Sequence, residues 1–185
     1  TKLFNEYIFD EKSLMKIRLK YKLPDQYIFY PAQYWKHKNH VRLIYAFEKL
    51  SKKNPNLHMV LTGMKTNNYF NIMRLIKKLG VENKIIHLGY VNYSDLPSLY
   101  KLSKMLILPT LFESISIPIY EAFSLSVPVC CSNILALPEQ TKGAAILFNP
   151  SSVDDMVTKI QLLLDDLDLQ DSLGKKGKAV MENFN

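Results

Sequence analysis

Two patterns of hydrophobic positions alternate along the chain. Short apolar runs rich in β-branched or aromatic residues occur at 27–30, 57–61, 85–88, 105–108, 127–131 and 145–148. Hydrophobicity does not alternate within them, so they read as strands covered on both faces. Between them lie stripes of helical spacing: Leu43, Ala46, Phe47 and Leu50, then Ile72, Leu75, Ile76 and Leu79, then Val153, Met156, Val157, Ile160 and Leu164. Each stripe gives a helix one apolar face to set against a sheet. Gly80 stands where a left-handed residue would end the second helix. Asp95 precedes a short helix carrying Leu96, Leu99 and Tyr100, in the position of an N-cap. The alternation predicts an α/β protein, a Rossmann-like, doubly wound parallel sheet of about six strands. In such sheets ligands bind outside the carboxyl ends of the strands, which directs attention to the loops after Tyr30, Leu61, Leu88, Leu108 and Cys131. Residues 1–11 read as a linker and 11–22 as a basic amphipathic helix with Lys12, Lys16 and Lys20 on one side. The expected organisation is therefore a linker and leading helix over 1–22 and one domain over 23–185.

Composition narrows the class. Of 185 residues 48% are hydrophobic and 22% charged, and Pro plus Gly number 15, which excludes a disordered tail, a collagen-like repeat and a disulfide scaffold. No apolar run approaches the roughly 20 residues that span a bilayer, and no signal-peptide pattern opens the sequence. Cys130 and Cys131 are neighbours, so in a strand they point to opposite faces and do not bridge. A soluble, cytoplasmic protein of a reducing compartment is the expectation. The net charge is +7, and residues 1–53 hold 12 basic and 5 acidic side chains. The whole surplus lies there, and a basic surface attracts phosphate, whether on nucleic acid, lipid or a nucleotide.

The loops carry the candidate chemistry. After the first strand, Lys38 falls just before a helix, where exposed N–H groups and the helix dipole favour an anion. An ammonium there suits a diphosphate, although an isolated lysine could equally be a solvated surface charge. His37 and His40 lack a third ligand nearby, which argues against a metal site. After the fourth strand, Glu113 and Glu121 flank a turn leading into a helix begun near Pro118, a favoured first-turn residue. One carboxylate sits on the loop and the other a turn inside the helix, so both can face one cleft. Carboxylates accept hydrogen bonds from vicinal hydroxyls, which makes a sugar or a ribose a natural partner.

The stretch from Glu113 to Glu121, with Pro118 and Ala122, resembles the E-x7-E signature of family 4 glycosyltransferases. The agreement extends through Gly63, Leu88-Gly89-Tyr90-Val91, Asp95-Leu96, Leu99-Tyr100 and Pro109. It continues with Pro128-Val129, Ser132-Asn133, Leu137-Pro138-Glu139, the segment 143–150, Gly177 and Phe184. The resemblance implies half of a GT-B enzyme, the C-terminal, donor-binding domain. The family binds a nucleotide-sugar here and transfers the sugar with retention, needing no metal and no other cofactor. Lys38 would then hold the donor diphosphate and neutralise the leaving nucleotide. Glu113 would contact the sugar hydroxyls and Glu121 the ribose hydroxyls, while backbone groups around Tyr90 and Val91 would receive the base. The N–H groups of Ile115, Ser116 and Ile117 would face the sugar or diphosphate. The Lys38-Asn39-His40 variant is similar to members acting in polysaccharide or lipopolysaccharide assembly, which implies a glycan or glycolipid acceptor held by an N-terminal domain.

Three departures from the family pattern stand out. The family's frequent arginine aligns with Gln33, which can donate a hydrogen bond but brings no charge. Ser114 and Ser116 replace glycines of the signature, whose conformational freedom lets a ligand approach closely. Ser103-Lys104 replaces an Ala-Asp pair. A non-catalytic sugar-nucleotide-binding module is therefore the alternative. A nucleic-acid module is disfavoured because no strand interleaves aromatic and basic residues. Asp166-Leu167-Asp168 falls between two helical segments and reads as a solvated junction rather than a metal motif. The Lys12, Lys16 and Lys20 face could rest on anionic lipid at the inner membrane face, or pack on a further domain.

Overall fold

The computed structural model describes residues 4, 7 and 9–183. Most of the expected linker, and Phe184, therefore lie outside the described residues. Six parallel strands form one sheet in the order β3-β2-β1-β4-β5-β6. They are β1 Tyr27–Pro31, β2 His58–Thr62, β3 Ile85–His87, β4 Met105–Leu108, β5 Val129–Ser132 and β6 Ile146–Phe148. β1, β2, β4 and β5 are buried along almost their whole length. That explains their unbroken apolar runs, since each carries helices on both sides. Tyr27, Ile28, Phe29 and Tyr30 are fully excluded from solvent. The two cysteines are free and buried in β5, and burial pushes the Cys131 thiol up to about 12.

The helices are α1 Glu11–Tyr21, α2 His40–Lys53, α3 Tyr69–Lys78, α4 Leu96–Lys101, α5 Ile117–Ser124, α6 Leu137–Thr141, α7 Val153–Asp165 and α8 Leu167–Glu182. α2 packs against α3 and α7, while α5 packs against α8. Gly174 and Gly177 permit that second contact. A Cβ on Gly174 would lie 2.4 Å from the Ser126 carbonyl oxygen, and one on Gly177 2.5 Å from the Phe123 ring. α1 lies on the same core, with Ile17 buried in the common hydrophobic cluster.

Several local expectations hold and others are corrected. Gly80 has φ +67 and follows α3 as its left-handed terminator. Asp166 caps α8 by accepting from the Leu169 N–H at 2.8 Å, so the Asp166–Asp168 pair is indeed a helix junction. Asp95 does not cap α4 with its side chain. Its carboxylate instead accepts from Lys20 Nζ at 2.6 Å and Tyr21 Oη at 2.7 Å, which fastens α1 to the domain. Of the three lysines expected on one side of α1, Lys20 is therefore paired. β5 starts two residues later than the apolar run, because Ser126 is left-handed and the Val127 N–H closes α5 onto Ala122.

Strand order reverses between β1 and β4, whose chains continue into opposite halves of the sheet. Loops that leave neighbouring strands there diverge and open a crevice.

Candidate active site

The chain leaves β1 at Pro31 and makes a short 3₁₀ turn, Lys36–Lys38, before Asn39 and α2. The Tyr30 hydroxyl donates to the Lys38 carbonyl at 2.7 Å. The His37 carbonyl accepts from the Leu111 N–H at 2.7 Å and from Thr110 Oγ1 at 3.2 Å. The turn after β1 is therefore stitched to the loop after β4. As a result Lys38 Nζ makes a direct ion pair with Glu113 Oε2, the two side chains being 20% and 17% exposed. Residues 75 apart in sequence meet because their strands are neighbours at the reversal.

At the same, carboxyl edge of the sheet lies a cavity of ≈ 270 Å³ whose lining includes Ala32, Gln33, Gly63, Tyr90, Val91, Ile117, Pro118 and Glu121, and neither member of the pair. Every strand end on this side of the crevice contributes. Gly63 (φ +129) is required for closure, since a Cβ there would sit 2.4 Å from the Ala32 carbonyl oxygen. The Gly63 N–H also donates to the Gly89 carbonyl at 2.9 Å, bringing the Tyr90–Val91 segment to the same edge. Tyr90 is 76% exposed and Val91 buried. Gln33 accepts from Trp35 Nε1 at 2.8 Å through its amide oxygen, which leaves its amide nitrogen as the donor for a ligand.

Glu121 projects from the second turn of α5 and is 7% exposed. Burial pushes its carboxyl above the ordinary range, partly opposed by the Tyr100 hydroxyl, which donates to Oε2 at 2.7 Å. A half-desolvated acceptor of this kind suits neutral hydroxyl donors, which can approach without a second charge. Behind the turn, His40 stacks on Tyr34 with ring centroids 4.6 Å apart. Burial, together with the Lys38 charge, pushes its imidazole down to about 3. His40 is thus a neutral packing element, while His37 is exposed. Among the described residues no group of three His, Cys, Asp or Glu side chains gathers that could hold a metal ion.

The signature loop is divided between two places. Ile117 lines the Glu121 cavity, whereas Ser114 and Ile115 line a separate hollow of ≈ 240 Å³ with Tyr120, Glu139 and Gln140. Ser116 corrects the expectation for its N–H. Gln140 Oε1 accepts from the Ser116 N–H at 2.9 Å, and Gln140 Nε2 donates to the Ser116 carbonyl at 2.8 Å. The amide is spent on shaping the loop, and Ser116 is buried rather than facing the crevice. Tyr100, Gln140 and Asn39 were not singled out from sequence as site residues. Asn39 alone carried a local signal, being a residue type favoured immediately before a helix.

The chain has known relatives. A family model for glycosyl transferases group 1 matches residues 12–180. The O-antigen chain mannosyltransferase B of Escherichia coli is 30% identical over 167 residues, covering 89% of this chain and 44% of that protein. The chain thus spans less than half the length of that relative. A crystal structure of a glycosyltransferase from Rickettsia africae ESF-5 superposes with a TM-score of 0.89 at 22% identity, covering 98% of this chain and 50% of that one. Anabaena Alr3699/HepE, crystallised in complex with UDP and glucose, superposes with a TM-score of 0.87 at 18% identity, covering 97% and 50%. At these identities the two structures speak for the fold, which is one half of the GT-B architecture.

Proposed function

Since the chain belongs to the group 1 glycosyltransferases, we propose that it is the donor-binding half of a retaining enzyme. The reaction moves a hexose from a nucleotide-diphospho-sugar to a glycan or glycolipid acceptor in polysaccharide or lipopolysaccharide assembly. The observation that carries this reading is that the Lys38–Glu113 pair and the Glu121 cavity share the carboxyl edge of the sheet at the strand reversal. The mannosyltransferase relative and the UDP and glucose in the Anabaena structure support the substrate class.

In this reading the base enters beside Tyr90 and Val91, and Glu121 accepts hydrogen bonds from the ribose hydroxyls. The diphosphate lies against Lys38 and the Gln33 amide nitrogen. Glu113 turns to the hydroxyls of the sugar, and the backbone from Ser114 to Ile117 closes around it, with the Ser116 amide acting only through Gln140. When the bond between the anomeric carbon and the diphosphate breaks, its electron pair leaves with the phosphate oxygen. Lys38 receives that growing negative charge, the kind of preorganised stabilisation that dominates many enzymes. The acceptor hydroxyl bonds to the anomeric carbon on the face that the diphosphate leaves, and its proton passes to the departing phosphate oxygen. The Lys38 ammonium offsets part of the charge on the leaving diphosphate, and no step of this scheme is routed through a divalent metal. The acceptor is held by the other half of the enzyme, on the cytoplasmic side of the membrane, where the exposed Lys12 and Lys16 of α1 meet anionic lipid.

Thermal stabilisation by a panel of nucleoside diphosphates and their sugars tests the reading. A bound compound at 100 times its dissociation constant should stabilise by about 2.7 kcal/mol. Glu121→Ala should abolish that stabilisation. Glu113→Ala in the full-length enzyme should cut sugar transfer at least about tenfold while nucleoside diphosphate affinity stays within about twofold. Equal loss of nucleotide affinity in both variants contradicts the separate roles, and stabilisation by no compound in the panel overturns the donor site itself.

A further inference from the structure

Asn39 has no role in the donor contacts above, yet each polar atom of its side chain is engaged. Its amide nitrogen donates to the Pro109 carbonyl and to the Pro150 carbonyl, both at 2.9 Å, and its amide oxygen accepts from Arg42 Nη1 at 3.3 Å. The residue is 3% exposed. Its backbone is left-handed, φ 57, a conformation that glycine adopts at less cost than any other residue. Backbone geometry alone would therefore select glycine here, and what asparagine adds is its two amide donors. Pro109 follows β4 and leads to Glu113; Pro150 follows β6 and leads to α7. One side chain thus ties the turn that carries Lys38 to two other loops at the same end of the sheet. Neither carbonyl reaches Asn39 by local sequence, being 70 and 111 residues away.

We propose that Asn39 is a positioning residue, a clamp that fixes the Lys38 turn against the Glu113 loop so that the ammonium stands ready for a diphosphate. This rests on the donor reading of Lys38. The Tyr30 hydroxyl holds the Lys38 carbonyl and the 110–111 segment holds the His37 carbonyl, so Asn39 secures the third and last side of the turn. Without it two buried carbonyls lose their donors, and the loops separate to find water. The nucleoside cavity does not include Asn39, so the loss should appear only where phosphate is recognised.

The experiment compares the wild-type full-length enzyme with Asn39→Gly, which keeps the backbone conformation and drops the clamp. Asn39→Asp is the second variant; it keeps the shape but turns both donors into acceptors. Calorimetric titration with a nucleoside diphosphate and with the matching nucleoside should show about tenfold weaker diphosphate binding in both variants. Nucleoside binding should stay within about twofold. Lys38→Ala should lose the same increment, and the Lys38→Ala, Asn39→Gly double variant no more, because one residue acts through the other. Hydrogen exchange over residues 109–112 should speed up in Asn39→Gly before any ligand is added. Unchanged exchange, diphosphate affinity equal to wild type, or parallel loss of nucleoside binding overturns the clamp and leaves the donor site standing. A wild-type protein that binds the diphosphate no better than the nucleoside overturns the role of Lys38, and the clamp with it.

Discussion

Glu121 sits where an ionised side chain is costly, and the sign of that cost can be worked out. Burial raises its native pKa above that of the unfolded chain, about 4.3. The favourable part of this linkage is present below the unfolded value and is lost as pH rises through the native one. Glu121→Gln should therefore gain stability relative to wild type as pH rises from 4 to 7. Urea denaturation at the two pH values checks this, and an equal difference at both removes the argument. His40 contributes the opposite slope. Its imidazole is depressed to about 3, so the stability it confers is complete above about 6.5 and drains away as pH falls toward 3. The carboxylate that best suits a ligand is thus the one the empty fold tolerates least, a familiar conflict between stability and function.

At the scale of elements, α8 shows how a helix can need poor helix formers. Alanine in place of a helical glycine usually gains about 1 kcal/mol. Gly174→Ala should instead destabilise, by about 1–3 kcal/mol, since its Cβ meets the rigid Ser126 backbone at 2.4 Å. A melting temperature lower by several degrees is expected, and an unchanged or higher one would show that α8 shifts freely on α5. The strands and long helices were legible from residue pattern because both faces of each strand and one stripe of each helix are set by local order. The ends were less so. Asp95 has the chemistry of a cap, but Lys20 and Tyr21 claim its carboxylate from 75 and 74 residues away. Lys38, Glu113 and Glu121 could be picked out because each lies in a loop that follows a strand or in the opening turns of the helix after it. The partners that shape them could not. Gln140 reaches Ser116 across 24 residues, and no spacing rule connects a glutamine on one short helix to the loop before another.

Over the whole molecule, the surplus of positive charge is less free than composition suggests. Within residues 1–53, Arg18, Lys20, Lys38, Lys49 and Lys52 all form ion pairs. Lys12 and Lys16 remain exposed on α1, beside exposed Met15 and Leu19. Among the described residues no helix is long and apolar enough to cross a membrane. Co-sedimentation with vesicles containing about one-third anionic lipid should be strong at low salt and weak at 0.5 M, about 1 kcal/mol per lysine being at stake. Changing Lys12 and Lys16 to Glu should abolish it, and changing Lys20 should matter little. Binding that ignores Lys12 and Lys16, or none at low salt, ends the membrane contact.

The contact between Lys38 and Glu113 has a consequence for what can enter. In the empty crevice each of these side chains already has a mate, so a newcomer must offer both of them a replacement. A bare phosphate can satisfy the lysine only by leaving the glutamate stranded, and a free sugar does the reverse. The intact donor carries both chemistries on one molecule and can complete the exchange in a single step, so it should bind more tightly than the nucleoside diphosphate alone. Two side chains that silence each other at rest thus favour the whole donor over either of its parts.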